Sequence, residues 1–230
     1  MQDMVCFIDP AMTGEKGCGR ATSRSRSIKD CLISAPPNQI FLLPYNASYL
    51  HDVLKESKMQ DMVCFIDPAM TGEKGCGRAT SRSRSIKDCL ISAPPNQIFL
   101  LPYNASVHWM LTVIDPDNEI VYFMDPLRRR LAGGEWKDIV DTAISMFKGE
   151  RNKKGRSSVQ WKNTAGIPSQ PKNKQCGYFV MRYMRDIIHD TNLSFADKWA
   201  RRANHVYGQV EIDEVPNEIA SYVVKNILKL

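Results

Sequence analysis

Apolar residues crowd into two short runs between residues 107 and 124. Val107-His108-Trp109-Met110-Leu111-Thr112-Val113-Ile114 is rich in β-branched and aromatic side chains and reads as a strand. Asp115-Pro116-Asp117-Asn118 carries turn chemistry, with proline at the second position. Glu119 to Met124 is a second strand, ending at Asp125-Pro126. After Gly133-Gly134 the period changes. Trp136, Ile139, Val140, Ala143, Ile144 and Phe147 fall at i, i+3, i+4, i+7, i+8 and i+11, the stripe of an amphipathic helix. Residues 148–163 are basic and polar and predict a loop around a short strand at Ser158–Trp161. A helix is predicted from near Cys176 through Tyr178, Phe179, Met181, Met184, Ile187 and Ile188. The last helix is expected to begin at Pro216, a residue at home in a first helical turn, and to carry Ile219, Val223, Ile227 and Leu228. Strands followed by packed helices predict an α+β domain.

Upstream of these elements lies a repeat. Residues 1–48 recur without a single change as residues 59–106. Solenoid units diverge and come in arrays, so two identical copies indicate a segmental duplication instead. The copies lead into different sequence. The first runs into Tyr49-Leu50-His51-Asp52-Val53-Leu54, where the spacing of Leu50, Val53 and Leu54 predicts a helix; the second runs into the strand at 107–114. Two copies cannot share one place in a fold. The second is expected to be structural because its strand is contiguous with it, which places the domain at residues 49–230 and leaves residues 1–48 outside the core.

Composition narrows the class. Hydrophobic residues make up 43% and charged residues 24% of the 230-residue chain, which is ordinary for a folded domain and excludes a disordered tail. No run approaches the ~18 apolar residues of a membrane span, and the Met1 end lacks the basic-then-apolar layout of a signal peptide. An intracellular soluble protein of the nucleus or cytoplasm is expected, without membrane association. The net charge of +6 is unevenly placed, with twelve Lys/Arg against four acids between residues 126 and 177. Such a block attracts acidic protein surfaces or nucleic acid, although a solvated surface loop is the simpler reading and is preferred to a dedicated nucleic-acid site.

Of the seven cysteines, Cys6, Cys18 and Cys31 recur as Cys64, Cys76 and Cys89, which leaves Cys176 alone outside the repeat. Their spacings fit neither metal knuckles nor redox pairs, and free thiols are expected. Neither a metal nor an organic cofactor is implied. Cys18-Gly19 and Cys76-Gly77 lie in what reads as a Gly- and Ser-rich loop. Cys176 instead follows the polar, turn-like Gln170-Pro171-Lys172-Asn173-Lys174-Gln175 and opens an apolar helix. A cysteine there feels the positive end of the helix dipole, which favours the thiolate. Gly177 would let a substrate backbone approach, and backbone N–H groups with a side-chain amide such as Gln170 would form an oxyanion hole.

The hairpin supplies a base. A four-residue loop at Asp115–Asn118 sets His108 directly opposite Asp125 on one face, with Cβ atoms ~4.5–5.5 Å apart. A five-residue loop would turn the two side chains to opposite faces. An Asp that accepts from one imidazole nitrogen fixes the tautomer and leaves the other free as a base. Each residue alone has a plainer reading: a buried small hydrophobe, a structural histidine, a turn aspartate. Only the combination of His108, Asp125 and Cys176 points to a thiol hydrolase.

His108-Trp109, Asp125 seventeen residues after His108, and Gln170 six residues before Cys176-Gly177 resemble the ubiquitin-like-protein-specific cysteine proteases, which include the SUMO-deconjugating enzymes. The family also includes many plant and transposon-associated relatives; the likeness covers roughly residues 49–230 and is closest to the plant branch. It implies a papain-like α+β fold with a central, mostly antiparallel sheet flanked by helices. The implied activity is cleavage after the C-terminal Gly-Gly of SUMO or a related modifier, which is also the implied partner. Cys176 would be the nucleophile, His108 the general base, Asp125 the orienting acid and Gln170 the oxyanion donor. Trp109 would help roof a narrow tunnel for the diglycine. Family members carry an N-terminal portion, with helices and a second tunnel aromatic, whose place is taken here by the extra repeat copy. The chain is therefore expected to be N-terminally truncated, and an inactive module that binds a modifier or nucleic acid is the competing expectation.

Overall fold

The computed structural model describes residues 45–71, 77–105, 108–131, 133–152, 158–171, 175–201, 205–223 and 225. Five strands form one sheet in chain order: β1 (Val63–Phe65), β2 (Ile98–Ala105), β3 (His108–Asp115), β4 (Ile120–Met124) and β5 (Gln160–Asn163). β2, β3 and β4 run antiparallel, whereas β1 and β5 join the edges in parallel. The expected antiparallel centre thus stands inside a mixed sheet. The helices are α1 (Tyr45–Glu56), α2 (Ala79–Ser92), α3 (Glu135–Glu150), α4 (Cys176–Ile188), α5 (Phe195–Arg201) and α6 (Gln209–Val223).

The sheet is covered on both faces, which is why β3 shows a nearly continuous apolar run instead of alternation. Leu100, Leu111, Val113 and Met124 pack with Phe179, Val180, Tyr183 and Ile187 of α4. Phe99, Met110, Ile114 and Phe123 pack on the other face with Ile139, Val140, Ile144 and Phe147 of α3. The six-residue stripe predicted for α3 is buried in full. Its Trp136 Nε1 donates to Thr112 Oγ1 at 3.0 Å, and its ring stacks on Tyr103 at 3.8 Å between centroids. Polar and apolar contacts together dock α3 on the sheet.

Four expectations are corrected. The stretch after Cys76-Gly77 is not wholly a loop, because Ser81, Ser83 and Ser85 lie in α2. Polar residues share the packing there with buried Ile86 and Leu90. Ser83 Oγ donates to Ile139 O at 3.0 Å, buried Arg82 pairs with Glu135 at 2.6 Å, and Arg151 donates to Ile91 O and Ala93 O at the end of α2. Small serines let two helices approach, and arginine satisfies the terminal carbonyls. Second, β5 sits at Gln160–Asn163, two residues later than predicted, because Gln160 N–H pairs with Glu119 O and Thr164 N–H with Phe123 O.

Third, α6 begins at Gln209 and holds Pro216 in its interior. Ile212 N–H donates to Gly208 O at 3.2 Å to open the helix, and the Glu211 carboxylate accepts from Gly208 N–H at 2.9 Å. An interior proline removes one helical bond. Burial of Ile212 and Val215, with the Arg182–Glu214 and Arg185–Glu218 ion pairs to α4, holds the helix together despite it. Ile227 and Leu228 lie outside the described residues, as do residues 1–44 of the first repeat copy.

The fourth correction is the hairpin register. Asp115 pairs with Ile120 and Leu111 with Met124, so the loop is Pro116–Glu119 and not Asp115–Asn118. Asp115 is held as the last strand residue by its own carboxylate, which accepts from Asn118 N–H at 3.1 Å and Asn118 Nδ2 at 2.8 Å. Glu119 closes the loop at φ 55°, in the left-handed region. The register is displaced by two, and a two-residue shift keeps every side chain on its face.

Candidate active site

His108 opens β3 and Asp125 directly follows β4, so antiparallel pairing brings both to one end of the sheet. Continuing the observed register, Asp125 falls opposite Met110 and diagonal to His108. That separation suits the reach of the two side chains better than direct opposition. His108 Nε2 and Asp125 Oδ1 are 2.6 Å apart, both buried. Asp125 Oδ1 also accepts from Leu127 N–H at 2.7 Å, and Asp125 O accepts from Arg128 N–H at 2.7 Å, closing a turn with Pro126 at its second position. Sequence reasoning missed the Leu127 N–H, although Asp-Pro is a recurrent setting for an aspartate that bonds the backbone two residues on.

Burial disfavours the His108 imidazolium. Hydrogen bonds and charge from Asp125 and Cys176 outweigh that effect and push its pKa up to about 9 from the ordinary 6.5. With Nε2 committed to Asp125, Nδ1 remains for the sulfur. The imidazole thus favours its protonated form near neutral pH, between Asp125 and the Cys176 sulfur.

Cys176 is the first residue of α4, reached through Gln175 at the cap position. It is buried, 8% exposed, and its Sγ accepts from Trp109 N–H at 3.3 Å. One strand therefore supplies both the imidazole and, from the next residue, a backbone donor to the sulfur. Trp109 is buried in the core beneath α4, and its Nε1 has no partner among the described residues. Gly177 is buried as the second residue of α4.

Gln170 reaches the site from a segment after β5. Its N–H donates to Pro126 O at 2.9 Å, which ties it to the turn that begins at Asp125. Its side chain is 7% exposed, and neither Oε1 nor Nε2 has a hydrogen-bond partner among the described residues. A buried carboxamide without partners costs on the order of 1–3 kcal/mol. His205, outside this cluster, meets Glu211 of α6 at 3.0 Å.

An imidazole held by an aspartate, a cysteine at the start of a helix packed on the same strand, and a sheet covered on both faces define the class: a papain-like cysteine protease. Residues 78–214 match the model of the Ulp1 protease family, C-terminal catalytic domain, and the chain belongs to that family. Solved structures share the fold. A de-sumoylating protease is 13% identical over 87% of this chain and 80% of its own, with a TM-score of 0.58. The SUMO protease Ulp1 with its catalytic cysteine oxidized to a sulfenic acid is 14% identical over 83% of this chain and 80% of its own, at 0.52. The sulfinic acid form is 14% identical over 89% and 94%, at 0.51. No curated protein sequence matches the chain.

Proposed function

We propose that the protein is a thiol-dependent protease and isopeptidase that cleaves after the C-terminal Gly-Gly of SUMO or a related ubiquitin-like modifier. Cys176 is its nucleophile, His108 its general base and acid, Asp125 the group that orients the imidazole, and Gln170 the oxyanion donor. The observation that carries this reading is the buried, unpartnered Gln170 carboxamide on a segment tied to the Asp125 turn. Support also comes from the de-sumoylating and SUMO protease neighbours of the same fold.

In this mechanism the one proton of the Cys176–His108 pair rests on the imidazole as Sγ attacks the glycine carbonyl carbon, and the carbonyl π pair moves onto oxygen. Gln170 Nε2–H, with backbone N–H groups at the start of α4, stabilises that oxyanion. The intermediate collapses, the C–N bond breaks, and His108 gives its proton to the departing amine. Water then attacks the thioester with His108 as base, releasing the modifier's carboxylate and regenerating the thiol. Trp109, through its N–H, and Gly177, next along the helix, flank the Cys176 sulfur that the diglycine must reach.

We place the catalytic domain at residues 49–230 and residues 1–48 outside it; α1, which begins at Tyr45, crosses that boundary by four residues. The family match, at residues 78–214, engages the second repeat copy, which supports the assignment. Turnover of C-terminal coumarin amides of SUMO, ubiquitin and their relatives tests the reading. Release of coumarin from one modifier, abolished by Cys176→Ser, is expected. Binding of a modifier with no turnover of any substrate would identify an inactive remnant instead.

A further inference from the structure

We propose that Tyr183 and Arg128 are positioning residues that aim Gln170 at the reacting carbonyl. The inference rests on the reading of Gln170 as the oxyanion donor.

The segment from Thr164 to Gln170 leaves β5 and crosses to the site as a strap. Two prolines, Pro168 and Pro171, remove backbone donors from its far end, so it cannot continue as a paired strand. Its carbonyls must find donors elsewhere. Arg128 Nη2 donates to Ile167 O at 3.1 Å, the Tyr183 hydroxyl donates to Pro168 O, and Gln170 N–H donates to Pro126 O at 2.9 Å. At the near end Gly166 adopts φ +82°, and a Cβ there would lie 2.2 Å from Trp199 O. The strap is thereby pressed against α5 at a point only glycine permits.

The origin of the anchors matters. Arg128 and Pro126 belong to the turn that begins at Asp125, and Tyr183 stands on α4 seven residues after Cys176. The strap is indexed at once to the element that carries the acid and to the helix that carries the thiol. Because the Gln170 carboxamide has no hydrogen-bond partner among the described residues, its direction follows from where its backbone is held. Tyr183 is fully buried, and burial with the Asp125 charge nearby raises its pKa, so the hydroxyl stays protonated as a donor.

The test uses the full chain and the coumarin amide of SUMO, with Tyr183→Phe, Arg128→Ala and Gln170→Ala alone and in pairs. Tyr183→Phe and Arg128→Ala are each expected to lower kcat about 10-fold with KM unchanged, as for loss of one aligning hydrogen bond. Neither should lower kcat further once Gln170 is alanine, and Arg128→Lys should restore most of the loss. Arg128 lies at the surface, so its variant keeps the test open if Tyr183→Phe fails to fold. Unchanged kcat in both variants overturns the inference. So does an equal loss in the Gln170→Ala background, which would mark a general structural role. If Gln170→Ala itself leaves kcat intact, the oxyanion reading fails first and the inference falls with it.

Discussion

Asp125 and Gln170 are buried side chains attached to the same turn, yet they stand in opposite conditions. Asp125 Oδ1 already accepts from His108 Nε2 and from Leu127 N–H, leaving only Oδ2 without a partner among the described residues. The Gln170 carboxamide accepts and donates nothing there, although its backbone is firmly held. One half of the site is satisfied in the resting protein and fixes a geometry. The other half, on the reading proposed above, keeps its hydrogen bond for an acceptor that arrives with substrate. Interactions made only in the transition state raise kcat, whereas those complete at rest set the stage for it.

Removing the satisfied half should do the most harm. His108→Ala takes away both the proton carrier and the partner of a buried carboxylate, so activity should fall about 10⁴-fold and the thermal midpoint should drop with it. Steady-state kinetics and thermal melting read the two effects together. Gln170→Ala should separate them. It is expected to lower kcat about 10²- to 10³-fold with little change in KM. It should leave stability unchanged or raise it by about 1 kcal/mol, because an orphaned buried amide is removed. Denaturant midpoints that fall markedly would show that the carboxamide is partnered after all.

A smaller effect sharpens the satisfied half. Asp125→Asn removes the main cause of the raised His108 pKa, so proton NMR of the ring should show titration moving from about 9 toward the ordinary 6.5. The same pair makes stability depend on pH. A histidine whose folded pKa is raised contributes stability that is fully present below 6.5 and lost as pH rises through about 9. Urea midpoints should therefore decline between those values, and the decline should flatten in Asp125→Asn. A profile flat across that window in the parent protein would contradict the pairing.

Legibility in the sequence tracked how local the determinant was. The α3 stripe and the start of α4 at Cys176 depend on spacing within one segment, and both were readable. The repeat shows where spacing stops deciding. Tyr-Asn-Ala is helical at residues 45–47 in α1 and extended at 103–105 in β2. The following residues account for the difference. Tyr49 and Leu54 bury a helical face, whereas the residues after the second copy form β3, whose His108 pairs with Ala105. Context overrides propensity in such short segments.

The candidate residues were legible for a related reason. His108 and Asp125 lie on one hairpin, and an even register shift kept them on the same face even though the loop was misplaced by one residue. What stayed hidden was long-range and polar. Nothing in Ser83, Arg82 or the serines around them announces a helix that packs through Ser83 Oγ and an Arg82–Glu135 pair. Nor does Tyr183, one apolar position among many on α4, announce a hydroxyl bonded to Pro168 O. Hydrogen bonds between distant segments leave no period to read.

The central claim is that Cys176 Sγ is the attacking group. Incubating the full chain with SUMO that carries a C-terminal propargylamide, then reading the intact mass and the modified peptide, tests it directly. The account predicts a one-to-one adduct on Cys176, lost in Cys176→Ser and strongly slowed in His108→Ala. A folded protein that stays unmodified, or an adduct carried by Cys64 or Cys89 with Cys176 untouched, would contradict it.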